Sequence, residues 1–360
     1  MISQFPSAWQ EKLKKLNITD FTPIQKEVFS LIQLKKNILG ISPTGTGKTL
    51  AYLFPTLLQL KPKKAQQILI LAPNTELAGQ IFDVVKQWTE PIGLNSQLFI
   101  SGSSQKRQIE RLKKGPEIII GTPGRIFELV KLKKIKMTVI ETIILDEFDE
   151  LMSNSQLHFV KNIITRVPKN YQMIYMSATN KVVSNELIKD VEVIDLSEQT
   201  LDAISHFYIQ VDKRLKIDLL RKFSHIDNFR ALVFFNQLSD LGASEEKLQY
   251  NNVPAVSLAS DVNVKFRKII LEKFKNHELS LLLATDLVAR GIDIEHLDYV
   301  INFDIPRDKE SYTHRSGRTG RMNRKGNVIT LVSHPEELKQ LKKLAKVSEI
   351  ILKDRQFYIK

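Results

Sequence analysis

The sequence predicts an α/β protein with two domains of similar size, each built on a mostly parallel sheet flanked by helices. Three observations carry that expectation. Short runs rich in Ile, Leu and Val recur along the chain, and they are apolar without alternation, as strands covered on both faces are. Amphipathic stretches of helical length, such as SQKRQIERLKK (104–114), lie between them, and strands alternating with helices imply βαβ units. The alternation pauses at LSEQTLDAI (196–204) and then restarts. A boundary there divides the chain into domains 1–200 and 201–360.

The expected strands follow in order. In the first half they are residues 37–41, QILILAP (67–73), EIIIGTP (117–123), TIILDEFD (142–149) and MIYMSAT (173–179). In the second half they are ALVFFN (231–236), LLLATD (281–286), YVINFD (299–304) and VITLVS (328–333). Many end in small or polar residues, and in parallel α/β sheets ligands bind beyond the carboxyl ends of strands. Chemistry-bearing residues therefore collect where a site is expected.

Composition narrows the field. A chain of 360 residues with 42 % hydrophobic content can bury a sizeable core. Without cysteine it has neither disulfides nor thiolate metal sites, which suits a cytoplasmic protein. No apolar run reaches the ~20 residues that span a bilayer, and MISQFPSAWQEKLKKL lacks the basic-then-apolar order of a secretory signal. The net charge is +13. Residues 1–200 hold 26 basic against 19 acidic residues (+7) and the remainder 27 against 21 (+6), so the excess is shared. It reads either as a solvated surface or as a footprint for a polyanion; lysine clusters such as KLKKIK (131–136) do not decide between them.

The stretch ILGISPTGTGKTLAYLF (38–54) resembles a phosphate-binding loop, although the pattern G-x-x-x-x-G-K-[ST] asks for glycine where Ser42 stands. Residues 37–41 read as a strand and the residues after Thr49 as a helix, which is the required context. Gly45 and Gly47 let backbone N–H groups converge on phosphate oxygens at a helix N-terminus. Lys48 would neutralise the β and γ phosphates and the Thr49 hydroxyl would ligate Mg²⁺. Ser42 suffices at the loop entry if the backbone there needs no positive φ. The bland reading is a glycine-rich turn with an incidental lysine.

Such a loop needs a carboxylate at the end of another strand, and IILDEFDEL supplies Asp146 and Glu147. Asp146 would hold Mg²⁺ through its water shell, and Glu147 would orient and deprotonate the attacking water. Taken alone, the acidic cluster also suits a solvated helix start. HRSGRTGR (314–321) offers Arg315, Arg318 and Arg321 as cations for the charge that builds on a transferring phosphate, or else as a basic surface loop. They lie in the second half, so the nucleotide site is expected to be completed only when the domains close.

Over essentially its whole length the sequence resembles DEAD-box RNA helicases of superfamily 2. The motifs run in family order: FTPIQ (21–25), SPTGTGKT (42–49), PNTELA (73–78), SG (101–102), TPGR (122–125), DEFD (146–149), SAT (177–179), VFFN (233–236), ATDLVARGID (284–293) and HRSGRTGR (314–321). The resemblance implies two tandem RecA-like domains, RNA-stimulated ATP hydrolysis, ATP and Mg²⁺, and local unwinding of short duplexes. It implies that Gln25 and Thr22 read the adenine edge, that Ile18 packs on its face, and that Ser42, Thr44, Gly45, Thr46, Gly47, Lys48 and Thr49 line the phosphates. Asp293 would contact the ribose, and Arg318 and Arg321 the γ-phosphate. Ser177 and Thr179 would couple hydrolysis to closure, with Asp149 and His314 bridging the domains. RNA would lie on Pro73, Gly102, Thr122, Gly124, Arg125, Arg267 and Thr285, mostly through its backbone, which positions a strand without reading it. The shared positive charge suits a strand across both domains.

Four departures from the family pattern stand out. Phe148 replaces alanine in DEFD and is expected to pack inward. Thr75 stands for an arginine, Val264 for a glutamine, and Met322 and Asn323 for Ala-Gly. These last changes bear on RNA grip and unwinding more than on hydrolysis, and added RNA affinity from a basic tail is not expected. The rival reading is an ATP-gated RNA clamp or scaffold with weak unwinding; a DNA translocase of the same superfamily fits FTPIQ and the DEAD-like motif less well. Ribosome assembly and RNA decay are roles the family fills, and the sequence chooses neither among them nor an oligomeric state.

Overall fold

In the computed structural model the described residues are 2–62, 66–152, 154–167, 170–182, 187–188, 190–197, 204–258, 264–286, 297–320 and 325–360. The chain folds as two compact units, Met1–Gln199 and Thr200–Lys360.

Among the described residues unit 1 holds seven strands: β1 (Ile38–Ile41), β2 (Ile68–Leu71), β3 (Ser96–Phe99), β4 (Ile118–Gly121), β5 (Thr142–Leu145), β6 (Gln172–Ser177) and β7 (Glu192–Asp195). Every pairing is parallel, in the order β3-β4-β2-β5-β6-β1-β7. The side-chain period of a strand is two, so each apolar run divides itself between two cores. Ile68 and Ile70 face one cluster with Ile118, Ile120 and Ile174; Leu69 and Leu71 face the other with Ile119, Ile143 and Tyr175. Continuous rather than alternating hydrophobicity is thus what a sheet covered on both faces requires.

The first cluster is rich in aromatic rings. Phe5, Trp9, Phe21, Phe54 and Trp88 interlock with ring centroids 4.8–6.0 Å apart, and Trp9 Nε1 donates to the Trp88 carbonyl at 2.7 Å. Trp9 and Leu13 are buried, and these two side chains anchor the helix Ser7–Lys15. Phe21 precedes Thr22 and Phe54 lies on the helix after the phosphate loop. This core therefore packs the FTPIQ segment against the helix that follows that loop.

The strand order fixes where chemistry can occur. After β1 the chain crosses to β2, on the far side of β5 and β6, which makes a topological switch point. The loops after β5, β6 and β1 lie at neighbouring positions along one sheet edge, and those after β3, β4 and β2 at the next three. Strand order alone separates the nucleotide motifs from the segments assigned to RNA.

Unit 2 holds β8 (Ile204–Gln210), β9 (Ala231–Phe235), β10 (Ala255–Leu258), β11 (Leu281–Thr285), β12 (Tyr299–Asn302), β13 (Gly326–Val332), β14 (Ser348–Lys353) and β15 (Gln356–Ile359). The order is β10-β11-β9-β12-β13-β8-β14-β15. All pairings are parallel except the final β14–β15 hairpin. Its two-residue turn, Asp354-Arg355, takes positive φ at both positions (49° and 60°), the twist that two-residue hairpin loops favour. Gly326 opens β13 beneath the loop Thr319–Gly320: a Cβ there would lie 2.4 Å from Gly320 N, so the arginine-bearing segment rests on a position only glycine can fill.

Candidate functional site

Residues 42–47 leave β1 and enter the helix Lys48–Leu57. Gly45 and Gly47 take φ of 84° and 85°, conformations that cost a side-chain-bearing residue about 1–2 kcal/mol. Ser42 takes no positive φ, so the loop entry does not need glycine. The serine hydroxyl also has a use. Ser42 Oγ donates to Thr46 Oγ1 at 2.8 Å, and Thr46 Oγ1 donates to the Pro43 carbonyl at 2.8 Å. Lys48, 8 % exposed, donates across the loop to the carbonyls of Ser42 (2.6 Å) and Pro43 (3.0 Å). Its ammonium therefore sits inside the ring of backbone groups that would receive a phosphate.

Gln25 is committed differently from a free base-reading side chain. Its Oε1 accepts from Thr22 N at 3.0 Å and its Nε2 donates to the Gly47 carbonyl at 3.2 Å. One amide thus caps the helix Pro23–Gln33 and fastens the phosphate loop, leaving a single N–H for a base edge. Thr44 Oγ1 is buried without a hydrogen-bond partner, and buried polar atoms left unpaired are rare enough to mark a ligand site. Ile18 is half-buried against the aromatic core.

Beyond β5, Asp146 is 4 % exposed. Its Oδ1 accepts from Glu147 N at 3.0 Å, and its Oδ2 from the Tyr52 hydroxyl at 3.0 Å. Burial and the neighbouring Glu147 charge push the carboxyl up to about 6, against the pull of Lys48 and the two hydrogen bonds. Glu147 itself sits at φ 47°, ψ 56°, a left-handed conformation that strains a non-glycine residue. One of its carboxylate oxygens is buried with no hydrogen-bond partner. Phe148, the departure from the family's alanine, points the other way: it is fully buried and meets Tyr175 edge-on at 4.8 Å. Phe148 therefore fills the core beneath β5 and β6, beside Tyr175.

Hydrogen bonds join the SAT segment to both neighbours. Thr179 Oγ1 lies 3.5 Å from Asp149 Oδ2, Thr179 N donates to Ser177 Oγ at 3.1 Å, and the Ser177 carbonyl accepts from Ser42 N at 3.1 Å. A continuous polar path runs from the DEFD segment through SAT to the phosphate loop. The donors suit a divalent cation and a nucleotide phosphate: a buried carboxylate short of counter-charge, the Thr49 hydroxyl on the adjacent helix, and a lysine ringed by backbone groups.

On the other half of the edge, Asn74 caps the helix Thr75–Thr89 by accepting from Leu77 N at 2.9 Å, and Thr122 precedes the helix Pro123–Lys131. Two helix N-termini therefore follow adjacent strands, with free backbone N–H groups suited to an anionic chain. Pro73 is buried and Thr75 exposed beside it. Gly102 is exposed at φ 80°. Gly124 lies one carbon contact (3.8 Å from its Cβ position) from Phe159. Arg125 Nε pairs with a Glu128 carboxylate oxygen at 3.4 Å, and the arginine side chain is 12 % exposed.

In unit 2 the structure corrects one expectation. Arg315 is fully buried and is not available to a phosphate. It pairs with Asp286 through two hydrogen bonds (2.6 and 2.7 Å), donates to Asn236 Oδ1 at 2.7 Å, and reaches Asn302 Oδ1 and the Asp304 carbonyl at 3.3 and 3.1 Å. Its guanidinium sits 5.1 Å over the Phe234 ring. These partners follow β11, β9 and β12, so a single side chain ties three strand ends together. Removing one member of a buried ion pair costs about 3–5 kcal/mol; Asp286 is a third exposed, which favours the lower figure. Arg315→Met is expected to lose about 3 kcal/mol in urea unfolding, and an unchanged midpoint would remove this role.

Family comparisons follow the same division. The DEAD/DEAH box helicase model matches residues 22–187 and the helicase conserved C-terminal domain model matches residues 215–323. The chain is 44 % identical over 332 residues to the probable ATP-dependent RNA helicase YfmL of Bacillus subtilis, covering 90 % of this chain and 88 % of that one. It is 35 % identical over 363 residues to the DEAD-box ATP-dependent RNA helicase CshC of Bacillus cereus, covering 99 % and 93 %. Among solved structures, S. cerevisiae Dbp5 bound to RNA and ADP BeF3 superposes with a TM-score of 0.83 at 25 % identity, over 96 % of this chain and 94 % of that one. The chain belongs to the DEAD/DEAH-box helicase family. Its two parallel sheets flanked by helices are the tandem RecA-like domains of that family.

In this helicase, then, unit 1 joins Thr22, Gln25, Ser42, Thr46, Lys48, Ser177, Thr179 and Asp149 through the contacts given above. Thr44 lies buried on the same loop, and Asp146 is held beyond β5 by Glu147 N and Tyr52. In unit 2, His314 and Arg318 are buried on or just after the helix Lys309–Ser316, and Thr285 ends β11. Arg267 lies on the helix Val264–Lys275. Asp293, Arg321, Met322 and Asn323 lie outside the described residues. Sequence reading missed Tyr52, although a phenol inside the apolar run TLAYLF signals a buried hydroxyl in need of a partner. Among the described residues no helix is long and apolar enough to cross a membrane.

Proposed function

We propose that this helicase hydrolyses ATP in response to RNA and uses the cycle to separate short duplexes locally. The observation that carries the reading is Glu147: a strained backbone and an unpaired buried carboxylate oxygen, beside Asp146 and at the strand edge that holds the phosphate loop. Strain and an orphaned oxygen persist in a fold only where something else is gained.

In this scheme Lys48 and the N–H groups of residues 45–49 bind the phosphates, and Thr22 and Gln25 face the adenine. Thr49 and Asp146 hold Mg²⁺, which when bound offsets charge on the β and γ phosphates. Glu147 orients a water and takes its proton. ATP and single-stranded RNA together draw the two units into a closed state, in which Arg318 and Arg321 neutralise the transferring phosphate and Asp293 meets the ribose. Asp149, Thr179 and His314 report closure to the loop. RNA runs over Pro73, Gly102, Thr122, Gly124 and Arg125 in the domain of residues 1–200, and over Arg267 and Thr285 in that of residues 201–360. Bending of one strand at closure pries the duplex apart, and hydrolysis resets the open state. With Thr75 in place of arginine, the helix Thr75–Thr89 offers RNA backbone N–H groups and a hydroxyl instead of a cation, so the grip is weaker.

ATP turnover measured with single-stranded RNA, with the same sequence as DNA, and without nucleic acid tests the reading, alongside strand separation of a short RNA duplex. Stimulation by RNA alone, with ATP-dependent separation, is expected. Turnover indifferent to RNA sinks the coupling, and RNA-stimulated turnover without strand separation leaves an ATP-gated clamp.

A further inference from the structure

Asp146 carries one hydrogen bond on each carboxylate oxygen, and the two donors differ in kind. Glu147 N is the backbone of the next residue and holds Oδ1 at 3.0 Å wherever the chain turns this way. The Tyr52 hydroxyl, which holds Oδ2 at 3.0 Å, comes from residue 52 on another element. Tyr52 is fully buried in the apolar face of the helix Lys48–Leu57, with its ring in the core among Leu53, Phe54 and Leu57. The same phenol has the Thr49 side chain as a second hydrogen-bonding neighbour. Thr49 lies one turn earlier on that helix, and residues three apart share a face.

A single neutral hydroxyl therefore touches both side chains assigned to the divalent cation. We propose that Tyr52 is the positioning residue of the metal site: it sets the rotation of the Asp146 carboxylate and its separation from Thr49 before nucleotide arrives. The inference rests on the reading of Asp146 and Thr49 as the metal-holding pair. Tyr52 touches neither substrate nor metal. Its action is through Asp146, as partners of ligating carboxylates commonly act, at a cost of about 10–100-fold in metal affinity when removed. Phenylalanine would fill the same space, so packing alone does not account for the hydroxyl. A fully buried phenol without a partner would also be costly; Asp146 satisfies Tyr52 as much as Tyr52 orients Asp146.

Tyr52→Phe removes one oxygen and keeps the ring. Binding of a fluorescent ADP analogue to the full chain, measured in EDTA and across a Mg²⁺ titration, gives a readout separate from turnover. The variant is expected to bind the analogue in EDTA as wild type does, and to need about 10-fold more Mg²⁺ to reach the tight-binding state. Thermal melting in EDTA checks that the fold is kept. A Mg²⁺ midpoint unchanged within about twofold overturns the proposal even if Tyr52→Phe melts earlier, because that is what a merely structural role predicts. Asp146→Asn separates the two layers. If it abolishes the Mg²⁺ effect while Tyr52→Phe does not, only the positioning role fails; if Asp146→Asn leaves the Mg²⁺ effect intact, the metal assignment and the positioning role fall together.

Discussion

Glu147→Gln is expected to lower the RNA-stimulated ATP turnover number by about 10²–10⁴-fold, the range typical for removing a positioned general base, while nucleotide and RNA binding persist. Glutamine keeps the length and the hydrogen-bonding outline of the side chain but cannot take a proton from water. The structure adds a second expectation that ordinary damage does not share. The Glu147 charge is, after burial, the main influence pushing Asp146 up to about 6. Removing it relieves a repulsion between two adjacent carboxylates, so the variant should melt above wild type in the absence of Mg²⁺. Turnover by single-turnover kinetics and melting by calorimetry test the pair together. Lost activity with lower stability would place Glu147 among structural residues, and retained activity would remove it from the chemistry.

Gly47→Ala is expected to weaken nucleotide binding by about 10–100-fold, through two separate penalties. The φ of 85° costs an alanine about 1–2 kcal/mol. Its Cβ would also stand 2.5 Å from Gln25 Nε2, so the amide must leave the Gly47 carbonyl, at a further cost of about 1 kcal/mol. About 1.4 kcal/mol is tenfold in affinity. Gly79 is the matched control. It lies inside the helix Thr75–Thr89, takes no positive φ, and a Cβ there meets nothing within 4 Å. Gly79→Ala should leave nucleotide affinity unchanged and raise stability by about 0.5–1 kcal/mol, since alanine is the better helix former. Equal nucleotide affinity for the two variants in a calorimetric titration would remove the strap between Gln25 and the loop.

Strands buried on both faces were legible, and strands at sheet margins or partly exposed along their length were not. Runs such as ILIL (68–71) and ALVFF (231–235) are wholly buried and announce themselves by continuous hydrophobicity. The strands that sequence reading passed over are β3 (SQLF), β7 (EVID), β8 (ISHFYIQ), β10 (AVSL) and the β14–β15 hairpin. β3 and β10 have two half-exposed residues in four, β7 has no buried residue, and β15 is mostly exposed. A strand paired on one side only, or wet on one face, needs no continuous apolar run, so its sequence resembles the amphipathic segments around it. The Ser42 question resolves by backbone geometry: the position takes no positive φ, and its hydroxyl pins Thr46.

The sequence by itself determined the parallel α/β class, the phosphate loop, the paired carboxylates and the order of the motifs, because these depend on local composition and short spacing. Only the tertiary structure decided which side chains answer one another across long separations. It joined Tyr52 to Asp146, 94 residues apart, and sent Arg315 to Asp286 and three strand ends rather than to a phosphate. It also tied Gln25 Nε2 to the Gly47 carbonyl of the phosphate loop, 22 residues away, while Oε1 of the same amide caps its own helix. The physical reason is that a buried polar group must find its partner wherever the strand order places one. Strand order in a parallel sheet is set by crossovers that leave no trace in the spacing of residues along the chain.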